Sequence, residues 1–379
     1  KNLGKRIKTS QVKCVSGILV LAIFSIPFAA WPGNSFDFLI TTYWKTILVF
    51  ILILGLVTSM KDIDRVIWAF LIAVGFLGVF SVVSDIQGIA FGKERVAITA
   101  TYDANDLAMV MIVAFPFAVF WFLGRKGTRR LIFGGLTALI IMTVILTSSR
   151  GGFVGFLGVS LAILLRARRI LKNAFVPLII IAILGSGTFF FYAKSAFLER
   201  MSTILTYEQD YNVTDYSGRI EIWKRGLKMM AENPILGVGI NGFTTAEGLS
   251  HKDIGGKWST AHNSFIQMGG ELGVMGLILF CYIIWTSLKG IKKVLKSVSQ
   301  EKKAYPILTT LSAIQCSWIG YAIGGVFLSA AHSPLFFLLA GLSTVIPFLI
   351  NDMEKATVST PKGGATRLSS PKPSRGRIG

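Results

Sequence analysis

Ten long apolar segments divide this chain, and they constrain its fold more than any other feature. They lie near residues 15–31, 38–58, 66–84, 106–123, 131–148, 151–165, 174–192, 264–288, 304–328 and 334–350. Most are long enough to cross ~30 Å of hydrocarbon at about 1.5 Å per helical residue. The sequence therefore predicts an all-α, polytopic membrane protein with about ten transmembrane helices.

The charged residues predict the orientation of these helices. If the N-terminus is cytoplasmic, every short basic loop falls on the cytoplasmic side, as the positive-inside rule requires. The basic clusters are Lys1–Lys13, Arg125–Arg130, Arg166–Lys172, Lys289–Lys303 and the C-terminal tail. The net charge of +20 thus reflects topology, and it does not indicate a nucleic-acid partner.

The chain divides into four predicted parts. Residues 1–192 form an N-terminal bundle of seven spans, 193–262 a large periplasmic loop, 263–350 three C-terminal spans, and 351–379 a disordered cytoplasmic tail. Loops as long as the second part are usually functional or disordered, and its composition is not that of a disordered segment.

An amphipathic helix is predicted within this loop. Ser217 is its expected N-cap and Asn233 its end, because Pro234 follows. The helical spacing places four apolar residues on one face, namely Ile220, Trp223, Leu227 and Met230.

Neither metal chemistry nor cofactor chemistry has a recognisable motif. Cys14, Cys281 and Cys316 lie in or beside spans, so no disulfide framework or cysteine metal site is predicted. No Walker loop, dinucleotide fingerprint, HExxH or GxSxG occurs in a fitting context. We therefore expect no cofactor and no metal.

Two arginines on the predicted outer face are candidate anion ligands. Arg150 is at the tip of a hairpin beside Gly151 and Gly152. If Arg166 marks the inner end of the next span, that helix reaches only ~24 Å, and Arg150 lies below the outer surface. Arg219 is in the first turn of the loop helix, where a guanidinium and free N–H groups together suit a phosphate. The alternatives are a snorkelling Arg150 and a solvated Arg219.

His262 is the candidate base. It precedes Asn263 at the outer mouth of the eighth span, where a neutral imidazole can take a proton from a hydroxyl. A lone His in this position is more often a hydrogen-bonding residue at a helix entry. His251 and His332 have the same ambiguity with less context.

The segment before the fourth span is unusually polar. Asp103 and Asp106 are three residues apart, so a shared metal is one interpretation, and capping of the span or orientation of an arginine is the favoured one. Arg95 precedes them. Within the spans, Lys45 is expected to snorkel outward and Glu271 to pair with a cation on another helix.

Four motifs in order resemble the bacterial O-antigen ligase and O-antigen polymerase superfamily over about residues 90–350. They are Tyr102-Asp103-Ala104-Asn105-Asp106-Leu107-Ala108; Ser149-Arg150-Gly151-Gly152; Gly218-Arg219-Ile220-Glu221-Ile222-Trp223 with Asn233-Pro234-Ile235-Leu236-Gly237-Val238-Gly239; and Ala261-His262-Asn263-Ser264-Phe265 with Glu271-Leu272-Gly273. Such proteins often have more spans than the ten predicted here, so we expect an even number of spans to precede Lys1.

The resemblance implies a glycosyltransferase of the bacterial inner membrane, with a GT-C-like helical scaffold and an active site facing the periplasm. Its donor would be a glycan linked to undecaprenyl diphosphate, and its acceptor the lipid A-core, as in O-antigen ligases. The resemblance assigns Arg150 and Arg219 to the diphosphate and His262 to the acceptor hydroxyl. Further candidates to support the site are Arg95, Asp103, Asp106, Asn263 and His332. The expected partners are these lipid-linked glycans, the acceptor and membrane lipids, with no nucleic acid.

Three alternative functions remain at this point. A polymerase would use a second lipid-linked repeat unit as its acceptor, and a protein O-oligosaccharyltransferase would use a protein. A transporter of lipid-linked sugars, from another class, would need a continuous polar path across the bilayer. Only Lys45 and Glu271 are charged within the predicted spans, which favours the enzyme.

The predicted topology can be tested by cysteine labelling in a variant without native cysteines. A membrane-impermeant maleimide should label Lys228→Cys, in the large loop, in intact spheroplasts. It should label Lys126→Cys and Lys292→Cys only after permeabilisation, because both lie in basic cytoplasmic loops. The reverse pattern would contradict the topology.

Overall fold

A computed structural model describes residues 3–87, 103–170, 201–202, 218–251, 258–298 and 305–359 of the chain, and the description that follows is confined to them. The architecture there is helical. The helices are α1 (Leu3–Ile7), α2 (Ser10–Ser25), α3 (Pro32–Phe38), α4 (Trp44–Leu56), α5 (Met60–Ile86), α6 (Ala104–Gly124), α7 (Thr128–Thr147), α8 (Arg150–Ile170), α9 (Arg219–Glu232), α10 (Phe243–Leu249), α11 (Ser264–Val298), α12 (Tyr305–Gly325) and α13 (Pro334–Ser359). Short 3₁₀ and π turns join α2 to α3 and α3 to α4.

The predicted all-α polytopic membrane fold is confirmed. Within the described ranges, nine helical segments are long and apolar enough to cross a membrane: α2, α3 with α4, α5, α6, α7, α8, α11, α12 and α13. They correspond to nine of the ten predicted spans. The remaining one, 174–192, lies outside the described residues. We call the end of the bundle where α6, α8, α11 and α13 begin the outer end, following the predicted orientation.

Helix α6 is the centre of the bundle. Most of its residues are buried, and it packs against α7, α8 and α12. Because lipid is as apolar as a leucine side chain, close packing between helices depends on small residues. On α8, Gly155 lies so close to α12 that an added Cβ would be 3.1 Å from the Cα of Gly324. An added Cβ at Gly152 would lie 3.1 Å from the Ser149 hydroxyl and closer still to Ala108 of α6. The outer half of α8 is therefore fixed between α6 and α12.

Helix α11 is interrupted within the membrane-spanning region. Leu272 and Gly273 have non-helical backbone angles, so backbone groups on both sides of the break lose their partners in the helix. The turn after α9 supplies new ones. The Val238 and Gly239 N–H groups donate to the carbonyls of Gly270 and Glu271 at 2.8 and 3.0 Å, and the Val274 N–H donates to the Pro234 carbonyl at 2.8 Å. These bonds fasten the end of α9 to α11.

The same turn is also bonded to the first two spans. The Ala30 N–H donates to the Val238 carbonyl at 2.9 Å, and the Ser35 hydroxyl donates to the Ile240 carbonyl at 2.6 Å. The Ile240 N–H in turn donates to the Ser25 hydroxyl at 3.1 Å. Residues 25–35 thus hold the turn from the side opposite α11.

The predicted loop helix is present as α9, with one correction. It ends at Asn233 as predicted, but its N-cap is Gly218 rather than Ser217. The apolar face given by periodicity is partly exposed, since Ile220 and Leu227 are 37% and 49% exposed. The buried residues are Ile222, Gly226 and Met229. Periodicity misses Gly226, which has no side chain, yet α9 approaches Ile266 and Phe243 most closely there.

The predicted start of the disordered tail is also too early. Helix α13 continues from the last span to Ser359, so residues 351–359 are helical rather than disordered. This stretch, Asn351 to Ser359, contains no glycine or proline that would end a helix.

The packing of α8 against α12 predicts a position-specific response to added volume. Gly155→Leu should lower the thermal stability of the detergent-solubilised protein strongly, because overpacking at a backbone contact costs about 1–3 kcal/mol or more. Gly135→Leu on α7 is the matched control, since no other group lies within 4 Å of an added Cβ there. Equal melting temperatures for the two variants would contradict this account of the packing.

Candidate functional site

The Ser149-Arg150-Gly151-Gly152 hairpin begins α8 at the outer end of the bundle. Ser149 is the N-cap, because its hydroxyl accepts a hydrogen bond from the Gly152 N–H at 3.1 Å. The same hydroxyl donates to the Asn105 side-chain oxygen at 2.7 Å, which ties the hairpin to the first turn of α6. Ser149 and Asn105 are both buried. Arg150 is the first residue of the helix and is half-buried.

The depth of Arg150 in the membrane stays a prediction. The sequence argument took Arg166 as the inner end of the span, and α8 continues beyond it to Ile170. The Arg166 guanidinium donates to the Ser312 hydroxyl of α12 at 3.1 Å, so it lies against another helix of the bundle. Within the protein, the hairpin contacts and the close packing of α8 fix the position of Arg150.

Arg219 lies against this hairpin. Its Nη1 atom is 3.5 Å from the position that a Cβ would occupy on Gly151. Arg219 is the first residue of α9, as the sequence predicted, and no side chain caps that helix. The structure therefore brings the two predicted anion ligands, Arg150 and Arg219, to one place, although they are far apart in the sequence.

His262 is connected to the same helix. The Trp223 indole N–H, one turn after Arg219 on α9, donates to the Ala261 carbonyl at 3.0 Å. His262 follows directly, with a left-handed backbone conformation at φ 46°. That conformation costs a non-glycine residue roughly 1–2 kcal/mol. His262 has this conformation although it begins no helix, and its neighbours Ala261 and Asn263 are both held by hydrogen bonds.

Asn263 has the predicted position at the entry of the eighth span, where it is the N-cap of α11. Its side-chain oxygen accepts hydrogen bonds from the Phe265 and Ile266 N–H groups at 2.9 and 3.1 Å. The next residue, Ser264, donates to the Leu328 carbonyl at 2.7 Å. Phe327, beside Leu328, contacts Gly151. The start of α11 is thereby linked through the end of α12 to the hairpin.

Three helix N-termini thus meet at what we call the outer site, defined by Arg150, Arg219 and His262. Arg150 begins α8, Arg219 begins α9, and His262 directly precedes the N-cap of α11. Each N-terminus carries about half a positive charge and N–H groups without helical partners. With two guanidinium groups added, the arrangement has the electrostatics of a site for a multiply charged anion such as a diphosphate.

The supporting residues fall into separate groups. Asp103 caps α6, as predicted, by accepting hydrogen bonds from the Asn105 and Asp106 N–H groups at 2.7 and 2.9 Å. Asp106 lines a different cavity, together with His332. Arg95 lies outside the described residues. Asn105, which links α6 to the hairpin, was missed, and only its place between two predicted acids could have drawn attention to it.

Glu271 pairs with His332, which lies in the link before α13, whereas the sequence predicted a cation on another helix. Its Oε2 is 2.6 Å from Nε2 of His332 and also accepts the Asn241 N–H at 3.0 Å. His332 is therefore held at the broken turn of α11 and not with the arginines. His251 has a structural place of its own, beside the buried carboxylate of Glu247 at 3.1 Å.

Comparison with known proteins agrees with this geometry. The family described as O-antigen ligase matches residues 135–281, which run from α7 to the middle of α11 and contain all of the outer site. Over these residues the chain is similar to the O-antigen ligase family. The predicted resemblance is confirmed by a match that includes the Arg150 hairpin, α9 and the entry to α11.

A curated relative supports the relationship without naming an activity. The chain is 25% identical over 237 residues to a protein of Haemophilus influenzae that is named only as uncharacterized. The similarity covers 59% of this chain and 58% of the relative, so the chain spans less than two thirds of that protein. The family match, rather than this relative, therefore indicates the outer site as the functional site.

The bond between Trp223 and Ala261 predicts a local effect on the segment that carries His262. Trp223→Phe removes the N–H donor and leaves a buried carbonyl unsatisfied, which costs about 1–3 kcal/mol. Amide hydrogen exchange of residues 258–263 should become faster. Trp285→Phe is the control, because that indole is 54% exposed on α11, away from the site. An unchanged rate of amide exchange in Trp223→Phe would show that α9 does not position His262.

Proposed function

We propose that this O-antigen ligase family protein is a glycosyltransferase that moves a glycan from an undecaprenyl-diphosphate-linked donor to an acceptor hydroxyl on the periplasmic side of the bacterial inner membrane. One observation carries the proposal. The Arg219 guanidinium lies against Gly151, so two arginines and the N-termini of α8 and α9 converge on one site. A GT-C-like helical scaffold is part of the proposal.

The diphosphate of the donor occupies the outer site between Arg150 and Arg219. The sugar–phosphate bond is already activated, so the enzyme has to stabilise the negative charge that grows on the leaving diphosphate. Two guanidinium groups and two helix N-termini provide fixed positive charge for this purpose without a metal. Gly151 allows the close approach, because a side chain there would contact both Phe327 and Arg219.

His262 is the general base. It accepts the proton of the acceptor hydroxyl while the hydroxyl oxygen forms a bond to the anomeric carbon of the donor glycan. The bond from that carbon to the diphosphate oxygen breaks, and its electron pair leaves with undecaprenyl diphosphate. Direct displacement of this kind inverts the anomeric configuration. The held backbone at His262 is suited to the fixed geometry that such an in-line attack requires.

The acceptor distinguishes the members of this class. We propose a ligase that uses the lipid A-core, because the residues of the outer site are those for which the sequence resembles O-antigen ligases. A polymerase, with a second lipid-linked repeat unit as acceptor, is the alternative. Transfer assays with purified protein, one donor and each of the two acceptors separate them, and the product with the higher kcat/KM identifies the reaction.

The arginines should resist conservative replacement. Lysine keeps the positive charge but loses the planar pair of donors, so Arg150→Lys and Arg219→Lys should each lower transfer at least tenfold. Arg129→Lys, exposed in the first turn of α7 on the predicted cytoplasmic side, is the matched control and should have no effect. Assays in excess EDTA test the metal-independent mechanism at the same time. Near-normal transfer by both variants, or activity lost in EDTA and restored by Mg²⁺, would contradict the proposed charge stabilisation.

His262→Asn removes the base but leaves a residue that can adopt the left-handed backbone conformation of this position. Asparagine tolerates the left-handed conformation but cannot take a proton near neutral pH. General-base catalysis is typically worth ~10²–10⁴ in rate, so kcat should fall by that order. Binding of undecaprenyl diphosphate should stay within about twofold, since the arginines hold it. A variant that turns over at the wild-type rate would exclude His262 as the base.

A further inference from the structure

A second cavity lies at the outer end of the bundle, separate from Arg150, Arg219 and His262. Its volume is about 590 Å³, within the ~300–1,000 Å³ of most small-molecule sites. Its walls come from α4, α5, α6 and α13 together with the links that precede α10 and α13. Its polar lining includes Asp106, Asn241, Gln267, Ser329 and His332. Apolar side chains, among them Phe38, Phe70 and Met109, form the rest.

Unsatisfied hydrogen-bonding groups are concentrated in this cavity wall. In the part of the chain that the structure describes, only five buried side-chain polar atoms have no partner, and two of them, Ser329 Oγ and His332 Nδ1, belong to lining residues. A third, the Tyr43 hydroxyl, is on a ring 5.3 Å from the His332 ring. Buried polar atoms without partners are rare in proteins, and such a cluster calls for a ligand or water to satisfy it.

Asp106 gives the lining of this cavity a carboxylate group. Its backbone N–H donates to the Asp103 carboxylate at 2.9 Å, and its own carboxylate is hydrogen-bonded in return to the Asp103 backbone. No Lys or Arg is among the described residues that line the cavity. A phosphate group is therefore disfavoured by charge, whereas a hydroxyl group can donate to the carboxylate.

The His332 ring is oriented for the same kind of ligand. Its Nε2 is 2.6 Å from Glu271, whose Oε2 also accepts the Asn241 N–H. Its Nδ1 has no partner among the described residues, so it can form a hydrogen bond to a ligand. A ring nitrogen, a carboxylate and a serine hydroxyl in a cavity with apolar and aromatic walls match an uncharged sugar, which presents hydroxyls at its edge and C–H groups on its faces.

The cavity also has a direct structural connection to the outer site. Asp106 is adjacent in α6 to Asn105, which bonds Ser149 of the Arg150 hairpin. Gln267 is five residues after His262 in the chain, and its side chain accepts the Ala331 N–H at 3.3 Å. The first turn of α6 therefore lines the cavity with Asp106 and bonds the Arg150 hairpin through Asn105, and the start of α11 lines the cavity with Gln267 and directly follows His262.

We propose that this cavity is the subsite for the uncharged sugar of the acceptor, with Asp106, Ser329 and His332 as its hydrogen-bonding groups. This assignment rests on the proposed glycosyl transfer, because it gives the acceptor and the donor diphosphate separate places. Charge separates them: the diphosphate goes to the two arginines, and the neutral sugar goes to the cavity whose described lining residues include a carboxylate and no lysine or arginine.

The test measures binding of two probes to the purified protein in nanodiscs. One probe is the delipidated core oligosaccharide of the host lipopolysaccharide, and the other is undecaprenyl diphosphate. Asp106→Asn and Ser329→Ala should each weaken oligosaccharide binding about tenfold, the scale of one hydrogen bond to a charged group for the first. Both variants should leave undecaprenyl diphosphate binding unchanged, whereas Arg219→Lys should do the opposite. Asp37→Asn, at an exposed outer position, is the control.

The outcomes separate this inference from the proposed function. Wild-type protein that binds no oligosaccharide, or variants that bind both probes like wild type, would overturn the inference even if transfer is active. Loss of both probes in Asp106→Asn with an unchanged melting temperature would also overturn it, because the two sites would then not be separate. Oligosaccharide binding that depends on Asp106 in a protein without transfer activity would support the subsite and count against the proposed reaction.

Discussion

The interrupted turn of α11 is the constraint on which the rest of this structure depends. In a membrane, backbone N–H and C=O groups that leave a helix must find other partners, because lipid offers none. At Leu272 and Gly273 these partners come from the turn after α9, through Pro234, Val238 and Gly239. The break therefore attaches the large loop to the transmembrane bundle through main-chain hydrogen bonds, which a mutation of side chains alone does not remove.

Glycines decide how closely the attached parts can approach. Gly237 has a positive φ of 64°, and a side chain there would collide with the backbone of Glu271. Gly226 performs a similar role for α9 against α11, and Gly155 for α8 against α12. Because the contacts of Gly237 and Gly155 involve backbone, the neighbouring segments cannot move aside at low cost. The outer ends of α8, α9 and α11 are consequently held at fixed positions, as a preorganised site requires.

Two kinds of chemistry result at the outer end. The site of Arg150 and Arg219 combines guanidinium groups with helix N-termini and is positive. The neighbouring cavity has Asp106 and the His332–Glu271 pair, and the lining residues that the structure describes include no lysine or arginine. Opposite electrostatic character in adjacent sites provides a way to keep two glycolipid substrates in different orientations. Specificity between a charged donor head and a neutral sugar then follows from repulsion as well as attraction.

The sequence by itself determined the membrane-spanning helices, the loop helix and its end at Asn233, and the types of residue that the outer site needs. The length of each apolar segment and the charges at its two ends are set by the lipid and by the membrane interface. Every span meets both independently of its neighbours. The residues that α9 buries and the partner of Glu271 were decided only by the tertiary structure. Each depends on which helix lies next to which, and glycines such as Gly226 and Gly155 leave no hydrophobic signal of the close contacts that they allow. The convergence of Arg219 on Gly151 has the same origin, because no local pattern records a contact between residues so far apart in the chain.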